Sequence, residues 1–129
     1  MKVRPGRIIP IALLAEFLAV VTLVLIVAIF GPPGPADAQA FAERVGYWVG
    51  PIAGFSFTLL GGWWIARRLD RSQVLNGFVL GITVALIDIA ILLLMSAQFE
   101  LIFVFSNLGR VVAGTIGGWL ASRRNQLSV

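Results

Sequence analysis

Val74-Leu75-Asn76-Gly77-Phe78-Val79-Leu80-Gly81-Ile82-Thr83-Val84-Ala85-Leu86-Ile87-Asp88-Ile89-Ala90-Ile91-Leu92-Leu93-Leu94-Met95 is a 22-residue run with a single charged side chain. At about 1.5 Å of rise per residue, a helix of this length matches the ~30 Å hydrocarbon core of a bilayer. The same pattern recurs on both sides of it, at about residues 8–30, 46–65 and 101–120. Lipid offers no partner to a free backbone N–H or C=O, so each of the four segments is expected to be a helix. The fold class that follows is an all-α integral membrane protein, one domain over residues 1–129 with four transmembrane helices.

Composition agrees. The chain is 59% hydrophobic and 12% charged, with a mean hydropathy of +0.96, whereas an ordinary soluble domain is about one-quarter charged. A net charge of +4 does not point to nucleic acid, because the basic residues cluster at predicted span ends. The chain has no Cys and no His, which excludes disulfides, thiolate nucleophiles, imidazole bases and the usual zinc ligand sets. The glycines recur at helix-packing spacing, with no phosphate-binding loop or dinucleotide pattern. No enzyme chemistry, metal or cofactor is therefore expected.

The connections divide the spans. Gly31-Pro32-Pro33-Gly34-Pro35 stops the first, since proline cannot continue a helix interior. Residues 36–45 read as a short interfacial helix. Arg67–Gln73 is a charged turn, and the brief Ser96–Glu100 link makes the third and fourth spans an antiparallel hairpin. The Ala36-Asp37-Ala38-Gln39-Ala40 segment resembles a signal-peptidase site, but the apolar run before it exceeds the ~7–15 residues of a signal core, so cleavage is not expected.

Lys2, Arg4, Arg7, Arg67, Arg68, Arg71, Arg123 and Arg124 fall on one side of this layout, and Arg44 alone on the other. The positive-inside rule then places both termini in the cytoplasm, in a bacterial-type inner membrane. Trp63, Trp64 and Trp119 fall at the inner interface and Tyr47 and Trp48 at the outer one, the depth that amphipathic rings favour.

Gly61-Gly62-Trp63-Trp64-Ile65-Ala66-Arg67-Arg68 returns 56 residues later as Gly117-Gly118-Trp119-Leu120-Ala121-Ser122-Arg123-Arg124. The match predicts two parallel copies of a two-helix hairpin, an organisation that transporter folds use. Small residues also recur every fourth position: Gly46, Gly50, Gly54 and Gly62 in the second span, Gly77 and Gly81 in the third, Gly114 and Gly118 in the fourth. Such spacing keeps them on one helix face, where backbones approach closely. The second span carries more of them than one partner needs, so the surplus around Gly50 and Gly54 is expected to form a homodimer interface.

Three ionisable residues, Glu16, Asp88 and Arg110, lie well inside spans. A central Asp or Arg costs about 2.5–3.5 kcal/mol on insertion scales. By helix rise Asp88 lies ~21 Å from the inner end of its span and Arg110 ~14 Å from the outer end of its own, so both sit near the midplane. Helical phase puts Asp88 with Gly77, Gly81 and Ala85, and Arg110 with Ser106, Gly114 and Gly117, which predicts an Asp88–Arg110 ion pair. Glu16, on a face with Ala12 and Ala19, adds a surplus negative charge if it joins them. Two readings stay open: a polar staple that aligns the helices, and an ion or substrate site.

Leu14-Ala15-Glu16-Phe17-Leu18, a glutamate embedded in the first of four spans, resembles the small multidrug resistance transporters in that feature alone. Phe78–Asp88 resembles the opening helix of GtrA-type lipid-linked sugar translocation proteins, although here that helix is the third and at most half the chain aligns. No family is assigned on these residues. The expected function is a non-enzymatic interaction or accessory subunit in the bilayer, as a homo-oligomer or with a membrane-protein partner. The alternative is a minimal oligomeric transporter or channel built on Glu16, Asp88 and Arg110.

Overall fold

The computed structural model describes residues 2–128 of the chain. It is all helix: α1 (Pro5–Phe30), α2 (Pro35–Ala66), α3 (Gln73–Leu94) and α4 (Leu101–Leu127), each long and apolar enough to cross a membrane. Pro5 and Pro35 start α1 and α2 in the first turn, where the missing N–H would have no helical acceptor anyway.

Residues 36–45 are not a separate interfacial helix. They are the first turns of α2, which is 32 residues long and continues unbroken through Pro51. Gly34 caps it in extended conformation, and Asp37 in the first turn complements the positive end of the helix dipole. At 1.5 Å per residue α2 is ~48 Å long, so its first turns project beyond a ~30 Å core.

The α3–α4 turn is closed by a Schellman arrangement, with Ala97 N–H donating to Leu92 O at 3.0 Å and Ser96 N–H to Leu93 O at 3.1 Å. Ser96 takes the left-handed conformation (φ 52°) that this closure requires. Asn76, fully buried, ties the start of the chain to α3. Its Oδ1 accepts from the Arg4 N–H at 3.1 Å, and its Nδ2 donates to Lys2 O at 3.1 Å and Ser72 O at 2.9 Å.

α2 and α3 each pack against all the other helices, whereas α1 and α4 lie on opposite sides of them without close backbone approach among the described residues. The tightest seams join α4 to α2 and α3. A Cβ on Gly62 would stand 2.6 Å from Gly114 O, one on Gly114 2.8 Å from Gly81 N, and one on Gly118 2.5 Å from Gln73 O. Gly77 and Gly81 are as tightly enclosed by α4 backbone. Any side chain at these positions would force the helices apart.

A core of Ile8, Ala12, Ala15, Ile65, Leu69, Leu80 and Val84 fills the half of the bundle nearest the basic residues. Outward-facing Leu, Ile, Val and Phe side chains, among them Phe17, Leu86 and Leu108, cover the lipid-matched exterior. The buried residues of the first span are Ile8, Ala12, Ala15, Glu16 and Ala19, with Ile11 half-buried against the same core. One stripe of mostly small residues is all that α1 needs to sit in the groove between α2 and α3.

Candidate functional site

All four helices meet at Arg110. Its Nη2 lies 3.0 Å from Glu16 Oε1 of α1 and 3.3 Å from Asp88 Oδ1 of α3. Its Nη1 donates to Ser106 Oγ, one turn earlier on α4, at 2.5 Å. α1 and α4 do not touch through their backbones, so the arginine side chain crosses between α2 and α3 to reach Glu16. Gly54 of α2 leaves the space for it: a Cβ there would stand 2.6 Å from both Cζ and Nη2 of Arg110. The expected Asp88–Arg110 pair is present in this geometry, and the larger reach is to Glu16.

Asn107 orients the second carboxylate. Its Nδ2 donates to Asp88 Oδ2 at 3.0 Å and to Phe103 O at 2.9 Å. The group is not fully satisfied: Glu16 Oε2, Asn107 Oδ1 and Arg110 Nε are buried without a hydrogen-bond partner. Two carboxylates face one guanidinium, so with all three ionised the cluster carries one excess negative charge. Glu16 and Arg110 are sealed in, at 4% and 3% exposure, while the Asp88 side chain keeps 15%.

That remaining exposure faces a cleft of about 540 Å³. Asp88, Ser106 and Arg110 form its floor, Gly46 and Gly50 line one wall, and Gln39, Glu43, Tyr47 and Glu100 line its mouth. The cleft opens away from the basic end of the bundle, where the apolar core closes the opposite half. Its small wall residues create the space: a Cβ on Gly50 would meet nothing within 4 Å, and one on Gly46 would make only ordinary contact with Leu23. Pro51 lines the cleft as well and has no N–H, so the Tyr47 carbonyl one turn earlier lacks its helical donor. The carboxylates of Glu43, Asp88 and Glu100 stand in a lining that is otherwise largely apolar, with Leu23, Leu92 and Ile102 among its walls.

The eight glycines singled out by spacing thus divide into two groups. Gly54, Gly62, Gly77, Gly81, Gly114 and Gly118 are pressed against neighbouring atoms of the same chain, and Gly46 and Gly50 open the cleft. The surplus at Gly50 and Gly54 has a use within one chain, the first as cleft wall and the second as the seat of the guanidinium. Asn107, Glu43 and Glu100 are not singled out by the sequence pattern. Ser106 and Asn107, four and three residues before Arg110, are legible as helix-face neighbours of the charge. The mouth residues carry no such signal.

No group of His, Cys, Asp or Glu among the described residues is arranged to hold a metal ion. No family model matches the chain, and no curated protein or solved structure matches it.

Proposed function

We propose that this small multi-pass membrane protein is a non-enzymatic carrier or channel-type subunit that admits a small cation to an acidic centre near the midplane. The observation that carries this reading is the cleft whose floor is Asp88 and Arg110. Its lining residues include three carboxylates, and its one cation is already engaged by Glu16 and Asp88. Intramembrane charges facing such a space mark solute pathways more often than lipid-facing ones do. The chemistry requires no cofactor and no nucleic acid. Positive-inside bias supports both termini in the cytoplasm of a bacterial inner membrane, with the acidic mouth facing outward.

Two parallel hairpin repeats, α1–α2 and α3–α4, suit this function, as in transporter folds. Corresponding span ends carry the same interaction: Arg67 lies 4.9 Å from the Trp63 ring centre, and Arg123 lies 4.8 Å from that of Trp119.

Uptake of radiolabelled sodium and methylammonium into reconstituted vesicles tests the proposal. Saturable uptake of one of them is expected for the native chain and its loss for Asp88→Asn, with the variant still monodisperse. Unchanged uptake in Asp88→Asn, or no uptake of either cation by the native chain, overturns it. A second reading, an interaction subunit paired with itself or another membrane protein, draws on the near-complete burial of Glu16 and Arg110. In that case the triad only joins helices, and Asp88→Asn lowers stability or assembly without any flux to lose.

A further inference from the structure

At the basic end, a second and separate cleft of about 310 Å³ lies between the start of α1 and the end of α2. Arg7 lines it from α1 and Arg68 from the turn that follows α2, beside Trp64, Pro10 and Ile11. Both arginines are exposed, and neither forms a salt bridge among the described residues. No acidic residue lines the cleft. Pro10 supplies no N–H to the Gly6 carbonyl, which leaves on a lining residue an acceptor suited to a headgroup hydroxyl. Arg68 lies 5.9 Å from the Trp64 ring centre, so the cationic group stands beside a ring of the kind that settles at headgroup depth.

We infer that this cleft is a binding site for one anionic phospholipid, with the phosphate between Arg7 and Arg68 and an acyl chain along Pro10, Ile11 and Trp64. Charge and shape agree on this occupant. Two guanidiniums without a carboxylate partner among the described residues line one cleft, and the wall beside them, Pro10, Ile11, Trp64 and Ile65, is apolar and belongs to the membrane-spanning helices. Basic pockets between transmembrane helices hold anionic headgroups by this combination. A free phosphate would satisfy the arginines but leave the apolar wall uncovered. Of the other basic residues at this end, Arg67, Arg123 and Arg124 lie over Trp63, Trp64 or Trp119, and Lys2, Arg4 and Arg71 line a third cleft that also contains the carboxylate of Asp70.

Native mass spectrometry of the full chain in detergent, titrated with phosphatidylglycerol and with phosphatidylcholine, tests the inference. The native chain should retain one phosphatidylglycerol and no phosphatidylcholine. The Arg7→Gln/Arg68→Gln variant should bind phosphatidylglycerol at least about tenfold more weakly, the loss expected for two basic charges near a membrane surface. An Arg123→Gln/Arg124→Gln control, which removes the same charge elsewhere at this end, should bind like the native chain. Equal retention of both lipids overturns the site, as does an equal loss in the control, which would make the effect diffuse attraction. Displacement of the lipid by millimolar inorganic phosphate would identify a free-anion site and overturn the lipid assignment. The comparison of the two lipids on the native chain stands even if a variant folds poorly.

Discussion

Replacing Gly54 by alanine adds one methyl group at the place where Arg110 passes between α2 and α3. The new Cβ would stand 2.6 Å from Arg110 Cζ and Nη2, where ordinary contact begins at 3.4 Å, so the guanidinium must retreat by about 0.8 Å. A flexible side chain normally yields cheaply, but this one is held at 3.0 Å to Glu16, 3.3 Å to Asp88 and 2.5 Å to Ser106. Retreat lengthens the contact to Glu16 beyond hydrogen-bond range and leaves a buried carboxylate unpaired. Losing one or two charge-assisted bonds gives an expected destabilisation of about 2–4 kcal/mol. The assay is unfolding by sodium dodecyl sulfate in mixed micelles, followed by circular dichroism. The control repeats Gly54→Ala in a Glu16→Gln/Arg110→Met background, where no guanidinium network remains to be displaced and the cost should fall below about 1 kcal/mol. A double-mutant comparison of this kind isolates the coupling between Gly54 and the charges. Equal costs in both backgrounds, or no cost in the native one, would refute the threading of Arg110 past Gly54.

Gly114→Val should separate α4 from α3, because a side chain there collides with Gly81 and Gly77 backbone rather than with a movable group. Overpacking of a tight seam costs about 1–3 kcal/mol or more, so loss of the monodisperse species on size exclusion is expected, and an unaltered profile and melting curve would contradict it. Asn76→Ala should release the start of the chain from α3, since it removes the partners of the Arg4 N–H and the Lys2 carbonyl. Amide exchange over residues 3–8 should then accelerate while the α4 amides stay protected; equal exchange in both proteins would contradict the tether.

Much of the fold is legible in the sequence because lipid makes helix formation obligatory, and the apolar runs then count the helices. The start of α2 is the exception. Residues 36–45 are too polar to span, and hydropathy separates them from the span that follows. Backbone hydrogen bonding does not depend on hydropathy, however, and no breaker lies between Pro35 and Pro51 to end the helix. At the site, helical phase suffices to bring Asp88 to Arg110, because a five-residue link makes their helices neighbours. Glu16 is harder to place. Its partner lies on a helix whose backbone α1 does not approach, so only the length of the arginine side chain and the gap at Gly54 connect them. Small residues are ambiguous in the same way. The spacing of Gly46, Gly50 and Gly54 is identical whether a second helix, an arginine or open space lies against them, and only the packing of the other three helices decides.

On the proposed function, water and cations reach the Asp88–Arg110 floor from the acidic mouth. The chain contains no cysteine, so single cysteines give a clean test of access in sealed vesicles. Gly50→Cys, on the cleft wall with open space beside it, should react with a membrane-impermeant cationic thiosulfonate at least about tenfold faster than with an anionic one of similar size, as a negatively lined cleft attracts cations. Leu60→Cys, on the outward apolar surface, should react with neither. Failure of Gly50→Cys to react, or equal rates with both reagents, would rule out cation access to the Asp88–Arg110 floor through this cleft.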